Sequence, residues 1–239
     1  MTAGKKGSGP TPGGRTAAVR VKTARKRSLS STLWLERQLN DPFVAEARRR
    51  GYRSRAAFKL LQLDERFHLL RPGLRLVDLG AAPGGWTQVA VERLQPDRSG
   101  GQIVALDILE MDPIPGAAVL QADFLDDSAP GRLRAALGGP ADVVLSDMAA
   151  PTTGHAATDH LRIMGLAETA YQFAAEVLAP GGAFVCKLFQ GGAERQLLAR
   201  LKQDFAQVRH AKPAASRADS SETYLVATGF RGAAAAGQG

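Results

Sequence analysis

Between residues 74 and 230, the apolar positions fall into two kinds of segment. Short apolar runs of the length of buried strands alternate with longer stretches in which apolar residues recur at helical spacing. The predicted strands cover residues 74–79, 102–107, 118–122, 142–146, 183–189, 207–211 and 223–228, and the predicted helices between them cover 86–94, 132–137, 161–178 and 193–205. This alternation is typical of an α/β fold, with a mostly parallel sheet covered by helices on both faces.

The last two predicted strands, 207–211 and 223–228, depart from this alternation because only a short loop separates them. A parallel return would need a long crossover connection. The pattern therefore predicts an antiparallel pair at one edge of the sheet.

Residues 31–71, upstream of the first strand, show helical patterns. A first helix is predicted around Leu35, and a second begins at Asp41-Pro42 and ends at Gly51. Ser54 is predicted to cap a third helix. These helices form the N-terminal part of the predicted domain.

The predicted domain spans residues 31–230 and is flanked by two segments of different composition. Residues 1–30 carry eight Lys and Arg residues, no acid and few apolar side chains, so they cannot bury enough surface to offset the entropy of ordering. We expect a disordered basic arm that attracts phosphates; a solvated tail and, second, a mitochondrial transit peptide are the alternatives. Residues 231–239 are predicted to be a disordered tail.

Charge is distributed unevenly along the chain, whose formal net charge is +8. Residues 1–59 carry 15 Lys and Arg against three Asp and Glu, whereas residues 60–239 carry 16 against 20. A basic N-terminal part attached to a mildly acidic body indicates an anionic partner held mainly by one end of the chain. Nucleic acid is the first candidate.

Composition excludes several classes of protein. The single cysteine, Cys186, excludes a disulfide framework, and the four histidines lack the spacing of metal ligands. No apolar run reaches the roughly 20 residues that a membrane span needs, and no secretory signal is visible. We expect no metal and no membrane association, and a reducing, cytoplasmic compartment.

A glycine-rich turn, Gly80 to Gly85, follows the first strand, where ligands bind in open α/β sheets. Asp107 ends the next strand, at the place where such folds hold a ribose, and Asp123 follows the third. The spacing differs from the GxGxxG of dinucleotide-binding folds, and the acid Asp78 suits a cationic amino group better than a pyrophosphate. The turn therefore favours S-adenosylmethionine (SAM) over NAD.

Five segments carry a further signal: residues 53–60 (RSRAAFKL), 78–86 (DLGAAPGGW), 146–149 (SDMA), 184–191 (FVCKLFQG) and 224–229 (YLVATG). In this order and at this spacing they resemble the FtsJ-type RNA 2′-O-ribose methyltransferases, and the resemblance covers roughly residues 31–230. It implies the class I methyltransferase fold, a Rossmann-like sheet of seven strands whose last strand is antiparallel.

The resemblance also implies the site residues. Those at the cofactor are Asp78, Gly80, Gly84, Trp86, Asp107, Asp123 and Asp147. The family's catalytic tetrad falls on Lys59, Asp147, Lys187 and Glu222. A ribose 2′-hydroxyl needs its proton removed, and a buried amine beside another cation can accept it. Lys187, within an apolar run, is the predicted base, and Lys59 assists it or steadies the developing alkoxide.

The chain departs from the family in three places. Ala150-Pro151 replaces the usual Pro-Asn, Ala57 replaces an aromatic residue, and the Arg-rich run before Glu222 is thinned. The first change leaves open any role of that asparagine at the substrate ribose.

A basic stripe is predicted to lead RNA to the tetrad through charge and shape. It consists of Arg48, Arg49, Arg50, Arg53 and Arg55, with Lys59 at its end. The resemblance implies as substrate a uridine in 23S rRNA of the large (50S) ribosomal subunit, and a monomeric enzyme. The alternatives are the same chemistry on tRNA or mitochondrial rRNA, or a non-catalytic assembly factor.

Overall fold

The computed structural model describes residues 28–151, 153–189, 194–217 and 220–232. Its strands are Arg75–Leu79 (β1), Gln102–Asp107 (β2), Ala118–Gln121 (β3), Ala141–Ser146 (β4), Leu178–Phe189 (β5), Phe205–Ala211 (β6) and Glu222–Phe230 (β7). Its helices are Leu29–Leu39 (α1), Pro42–Arg50 (α2), Ala57–Phe67 (α3), Gly85–Leu94 (α4), Pro96–Ser99 (α5), Ala129–Leu137 (α6), Ala156–Val177 (α7) and Arg195–Asp204 (α8). Residues 1–27 of the predicted arm and 233–239 of the predicted tail lie outside the described residues.

The strands form one sheet in the order β3-β2-β1-β4-β5-β7-β6. The pairs from β3 to β5 are parallel, whereas β7 runs antiparallel to both β5 and β6. This confirms the predicted α/β class, with its mostly parallel sheet and antiparallel last strand. The last strand inserts between β5 and β6, so β6 forms the edge.

The start of β5 was predicted incorrectly. The sequence predicts a helix that extends to residue 178, is ended by Pro180-Gly181-Gly182 and is followed by a strand only from residue 183. In the structure β5 begins at Leu178, which pairs with Ala141. The register shifts between Ala141 and Val143, and this irregularity accommodates the proline and glycines within the strand.

Helix starts agree less well with the sequence than strand positions do. The Asp41 carboxylate accepts from the Phe43 amide at 3.0 Å, as a cap should, but Ser54 does not cap α3. A β-carbon at Gly85 would lie 2.4 Å from the Ser54 hydroxyl oxygen, so the Ser54 side chain packs against α4 instead. The start of α7 at Ala156, five residues before its predicted start, also escaped the sequence pattern.

The chain divides into two units between Ala45 and Glu46, within α2. The first unit includes α1 and the beginning of α2. The second unit contains the sheet and all the residues of the candidate site.

The two faces of the sheet in the second unit have different roles. The core on one face contains Cys186 and Leu188 of β5 together with residues of α6, α7 and α8. Because side chains alternate along a strand, Lys187 lies on the opposite face, where Trp86 of α4 contacts Tyr224 of β7. The sheet thus separates the main core from the face that carries the lysine.

Candidate active site

A cavity of about 810 Å³ opens where the carboxyl ends of β1, β2 and β4 meet. Backbone hydrogen bonds hold this edge together: the amides of Gly80 and Ala81 donate to the Leu106 carbonyl, and the Asp147 amide donates to the Leu79 carbonyl. The cavity lining includes Gly80, Ala82, Asp107, Asp123, Asp147, Met148 and, from α7, Arg162, Gly165, Leu166 and Thr169. This is the edge at which ligands bind in open α/β sheets.

Two of the acids in this lining are held by backbone amides. The Asp107 carboxylate accepts from the Ala82 amide and from the Leu109 amide, each at 2.8 Å, and Asp123 accepts from the Leu125 amide at 2.9 Å. Fixed in this way, both carboxylates keep lone pairs for a ligand. The apolar side chains of Ile108, Leu109 and Leu125 are 59–65% exposed at the same cavity.

Gly80 belongs to this lining for a steric reason. Its φ is +76°, and a β-carbon there would lie 2.7 Å from the Cα of Met148. Only glycine allows the chain after β1 to pass so close to the chain after β4. This close approach brings the ends of the two strands together at the cavity.

Gly84 lies outside the lining, beneath the segment that follows β2. A β-carbon on Gly84 would lie 2.6 Å from Ile114 Cδ1. Arg53 donates to the carbonyls of Asp112 and Pro113 at 2.7 and 2.9 Å and to that of Pro83 at 3.3 Å. Arg53 therefore ties the segment around Ile114 to the glycine-rich turn.

Trp86 is also outside the lining and almost fully buried. Its indole donates to the Ala56 carbonyl at 2.8 Å, and its ring centroid lies 5.6 Å from that of Tyr224. Trp86 thus connects the start of α3 to β7, behind the predicted catalytic residues.

Asp78 is fully buried in β1 and faces α4. The Thr87 hydroxyl donates to one carboxylate oxygen at 2.7 Å, and the other oxygen has no hydrogen-bond partner. Burial raises the pKa of Asp78 to about 7, with the Thr87 hydrogen bond opposing the rise and the charges of Asp147 and Asp107 adding to it. Asp78 therefore supports the turn from behind the cavity wall.

This burial predicts a specific dependence of stability on pH. In the unfolded chain the Asp78 carboxyl titrates near pH 3.9, so between about pH 4 and pH 7 the folded chain holds a proton that the unfolded chain has lost. The contribution of Asp78 to the free energy of unfolding is complete below this window and falls as the pH rises through it. Asp78→Asn should flatten that slope, measured by denaturant unfolding between pH 5 and pH 8.

Thr87→Val is the matched comparison for Asp78→Asn. It removes the hydrogen bond that lowers the pKa of Asp78, so the fall in stability should continue to a higher pH. An Asp78→Asn protein with the wild-type slope would assign the pH dependence to other groups.

Lys187 and Asp147 form the first ion pair of the predicted tetrad. The Lys187 ammonium donates to the Asp147 backbone carbonyl at 2.5 Å and lies 3.1 Å from its carboxylate. Their side chains are 8% and 17% exposed. Because Asp147 also lines the cavity, this pair connects the cavity to the face of the sheet that carries Lys187 and Tyr224.

Lys59 and Glu222 form the second pair. The Lys59 ammonium lies 2.7 and 2.8 Å from the two carboxylate oxygens of Glu222, and the side chains are 12% and 13% exposed. The Ser216 hydroxyl donates to the same carboxylate at 2.8 Å. The four residues predicted from the sequence are thus assembled as two largely buried ion pairs.

Tyr224 joins these two pairs, although the sequence motifs assign it no role. Its hydroxyl donates to Asp147 at 2.8 Å, and the Lys59 ammonium lies 5.8 Å from the centre of its ring. In the antiparallel register Tyr224 lies opposite Lys187. Its position two residues after Glu222 in one strand, hence on the same face, was the available signal.

The arginines of the predicted basic stripe differ in their contacts. Arg48 is exposed, and Arg49 and Arg50 form ion pairs with Glu46 while remaining 70% and 49% exposed. The Arg55 guanidinium donates to the Ala215 carbonyl. Arg53 and Arg55 therefore have structural contacts, whereas residues 48–50 present their charge to solvent.

A membrane-spanning helix and a metal-binding cluster are both absent from the part of the chain that the structure describes. None of its helices has the length and apolar character needed to cross a bilayer. Within the same residues, no group of three or more His, Cys, Asp or Glu side chains could hold a metal ion.

The chain is similar in sequence to proteins of known family. Residues 52–230 match the FtsJ-like methyltransferase family. The chain is 69% identical to ribosomal RNA large subunit methyltransferase E of Paramagnetospirillum magneticum, over 97% of this chain and 98% of that protein. It is 64% identical to the protein of the same name in Rhodospirillum rubrum, over 95% of this chain and 86% of that protein.

A solved structure is similar as well. The crystal structure of a ribosomal RNA methyltransferase from Plasmodium falciparum has a TM-score of 0.67 and 31% identity, covering 76% of this chain and all of that one. Together with the match over residues 52–230, these similarities show that the chain belongs to the FtsJ-like methyltransferase family.

Proposed function

We propose that this protein transfers a methyl group from SAM to the 2′-hydroxyl of a uridine ribose in 23S rRNA of the large ribosomal subunit. The observation that carries the proposal is the pair of buried Lys–carboxylate contacts beside an acid-lined cavity. The names of the relatives, which refer to large-subunit ribosomal RNA, support the choice of substrate.

The residues of the cavity fit SAM. Asp107 would hold the ribose hydroxyls of the cofactor, and Asp123 would hold its adenine amino group. The side chains of Ile108, Leu109 and Leu125 would surround the adenine ring. Asp147, Asp107 and Asp123 supply the negative charge that a cationic ligand requires. Asp78, Gly84 and Trp86 lie outside the lining, and in this proposal they support the pocket from behind.

Lys187 is the proposed base. A neutral Lys187 amine would have two N–H groups, enough for the contacts with the Asp147 carbonyl and carboxylate. Its lone pair would then be left for the proton of the substrate hydroxyl. When bound, SAM would supply a methyl carbon on a sulfonium sulfur, which would keep the electron pair of the broken carbon–sulfur bond. The 2′-oxygen would form the new bond to that carbon, and the Lys187 nitrogen would take up its proton.

Lys59 and Glu222 are proposed to orient the ribose. An ammonium held by both oxygens of one carboxylate is fixed in position and can stabilise negative charge as it develops on the 2′-oxygen. The protein's largest contribution is then positioning, which in general supplies several kcal/mol of a barrier.

The RNA surface is proposed to begin at Arg48, Arg49 and Arg50 and to continue past Arg53 and Arg55 to Lys59. The exposed charges of the first three suit phosphates, and binding should weaken steeply as the salt concentration rises. The contribution of residues 1–30, monomeric action and a cytoplasmic location remain predictions from the sequence.

The proposal is tested by incubating the full chain with radiolabelled SAM and four separate substrates. These are large ribosomal subunits, small subunits, free 23S rRNA and tRNA, all from cells that lack the modification. We expect label on the large subunit, at a 2′-oxygen located by nuclease mapping. Label on tRNA alone, or binding to the large subunit without transfer, would replace this proposal by one of the alternatives.

A further inference from the structure

The segment between β6 and β7 and the first residue of β7 are held at three points by α3 and the turn that leads into it. Arg55, in the turn that leads into α3, donates to the Ala215 carbonyl, and Gln62 accepts from the Ala215 amide at 2.8 Å. Lys59, between them in sequence, pairs with Glu222. Lys59 and Gln62 lie three positions apart and therefore share one face of α3, so this face and the turn before it hold the segment.

Ser216 is placed by this attachment. Ala215, whose amide and carbonyl are both held, is fully buried, and the Ser216 amide donates to the Pro213 carbonyl at 2.8 Å in a turn. Ser216 is itself 7% exposed. Its backbone position is therefore determined by α3, although the residue belongs to a connecting segment.

The Ser216 hydroxyl acts on one group of the tetrad. It donates at 2.8 Å to the Glu222 oxygen that lies 2.7 Å from the Lys59 ammonium. Without this donor, the carboxylate could rotate about its terminal bond, since such torsions are broad. The ammonium would then lose its fixed position.

We propose that Ser216 is a positioning residue for methyl transfer, acting through Glu222 on Lys59. Arg55 and Gln62 support it by holding Ala215. The inference rests on the proposed function, because it assigns Ser216 a part in that reaction. It also gives Arg55 a role at the catalytic site besides its predicted contact with RNA.

Ser216→Ala should lower kcat about tenfold to a hundredfold, the usual effect of losing a hydrogen bond to a charged group. The KM for SAM should stay unchanged, because Ser216 does not line the cavity. Ser221→Ala, at an exposed serine next to Glu222, is the matched control and should retain the wild-type kcat.

A double-mutant cycle with Glu222→Gln separates positioning from general structural damage. If Ser216 acts through Glu222, Ser216→Ala should lower kcat little or not at all in the Glu222→Gln protein. Gln62→Ala, which affects the same attachment from α3, should show the same non-additivity and provides a second test if Ser216→Ala fails to fold. If the wild-type enzyme transfers label but the effects of Ser216→Ala and Glu222→Gln on kcat are additive, this inference alone is overturned. If the wild-type enzyme transfers no label, the proposed function is overturned.

Discussion

Replacing Lys187 by alanine is expected to reduce methyl transfer at least about a thousandfold. General bases contribute typically about 10²–10⁴ to a rate, and the Lys187 amine is held by the carbonyl and the carboxylate of Asp147, which lines the cavity. The measurement is single-turnover transfer of label to large ribosomal subunits at saturating SAM. SAM binding by calorimetry should persist.

Two controls separate a base from a positive charge. Lys187→Arg keeps the cation, but a guanidinium does not give up its proton at neutral pH, so it should be as inactive as Lys187→Ala. Lys202→Ala, at an exposed lysine of α8, should remain fully active. An active Lys187→Arg protein would show that charge, rather than proton removal, is what Lys187 supplies.

Asp147→Asn should produce the second largest effect, because three interactions meet at this side chain. Its carboxylate contacts Lys187, accepts from the Tyr224 hydroxyl and lines the cavity. The amide is nearly the same size but carries no charge, so Lys187 keeps the backbone carbonyl contact and loses its counter-ion. We expect at least about a hundredfold loss of transfer, weaker SAM binding, and a loss of about 3 kcal/mol in the free energy of unfolding, typical of a broken buried pair.

Asp142→Asn is the matched control in the same strand. Its carboxylate accepts from the Arg75 amide at 2.8 Å, near the amino end of β4 and away from the cavity. A small loss of stability with normal transfer is expected. An Asp147→Asn protein with normal SAM affinity and the same transfer rate as Asp142→Asn would contradict a role for the Asp147 charge.

The fold was largely predictable because its signals are local. Apolar runs at strand length and glycines after helices depend on residues a few positions apart, and each predicted strand has a counterpart in the sheet. The predicted start of β5 at residue 183 was wrong for the opposite reason. Pairing with β4 extends β5 back to Leu178, across Pro180, and the partner strand is not adjacent in sequence.

The site was predictable through its residue types and their order, less so through their contacts. Lys59 and Glu222 lie 163 positions apart, and their pairing depends on β7 lying beside β5 rather than at the edge. The same insertion places Tyr224 opposite Lys187. Alternation along β7 places Tyr224 on the same face as Glu222, but no local pattern indicates that Lys59 or Lys187 lies beside them.

The sequence by itself determined the class of fold and the strand ends at which the cavity lies, because turns and alternation are properties of short segments. Its resemblance to the family implied the four groups of the tetrad. The tertiary structure alone decided that the tetrad forms two ion pairs joined by Tyr224, that Asp78 and Trp86 lie behind the cavity, and that Arg53 and Arg55 hold loops. These arrangements depend on which strands and helices become neighbours. Burial and hydrogen bonding between distant segments, rather than local propensity, determine that choice.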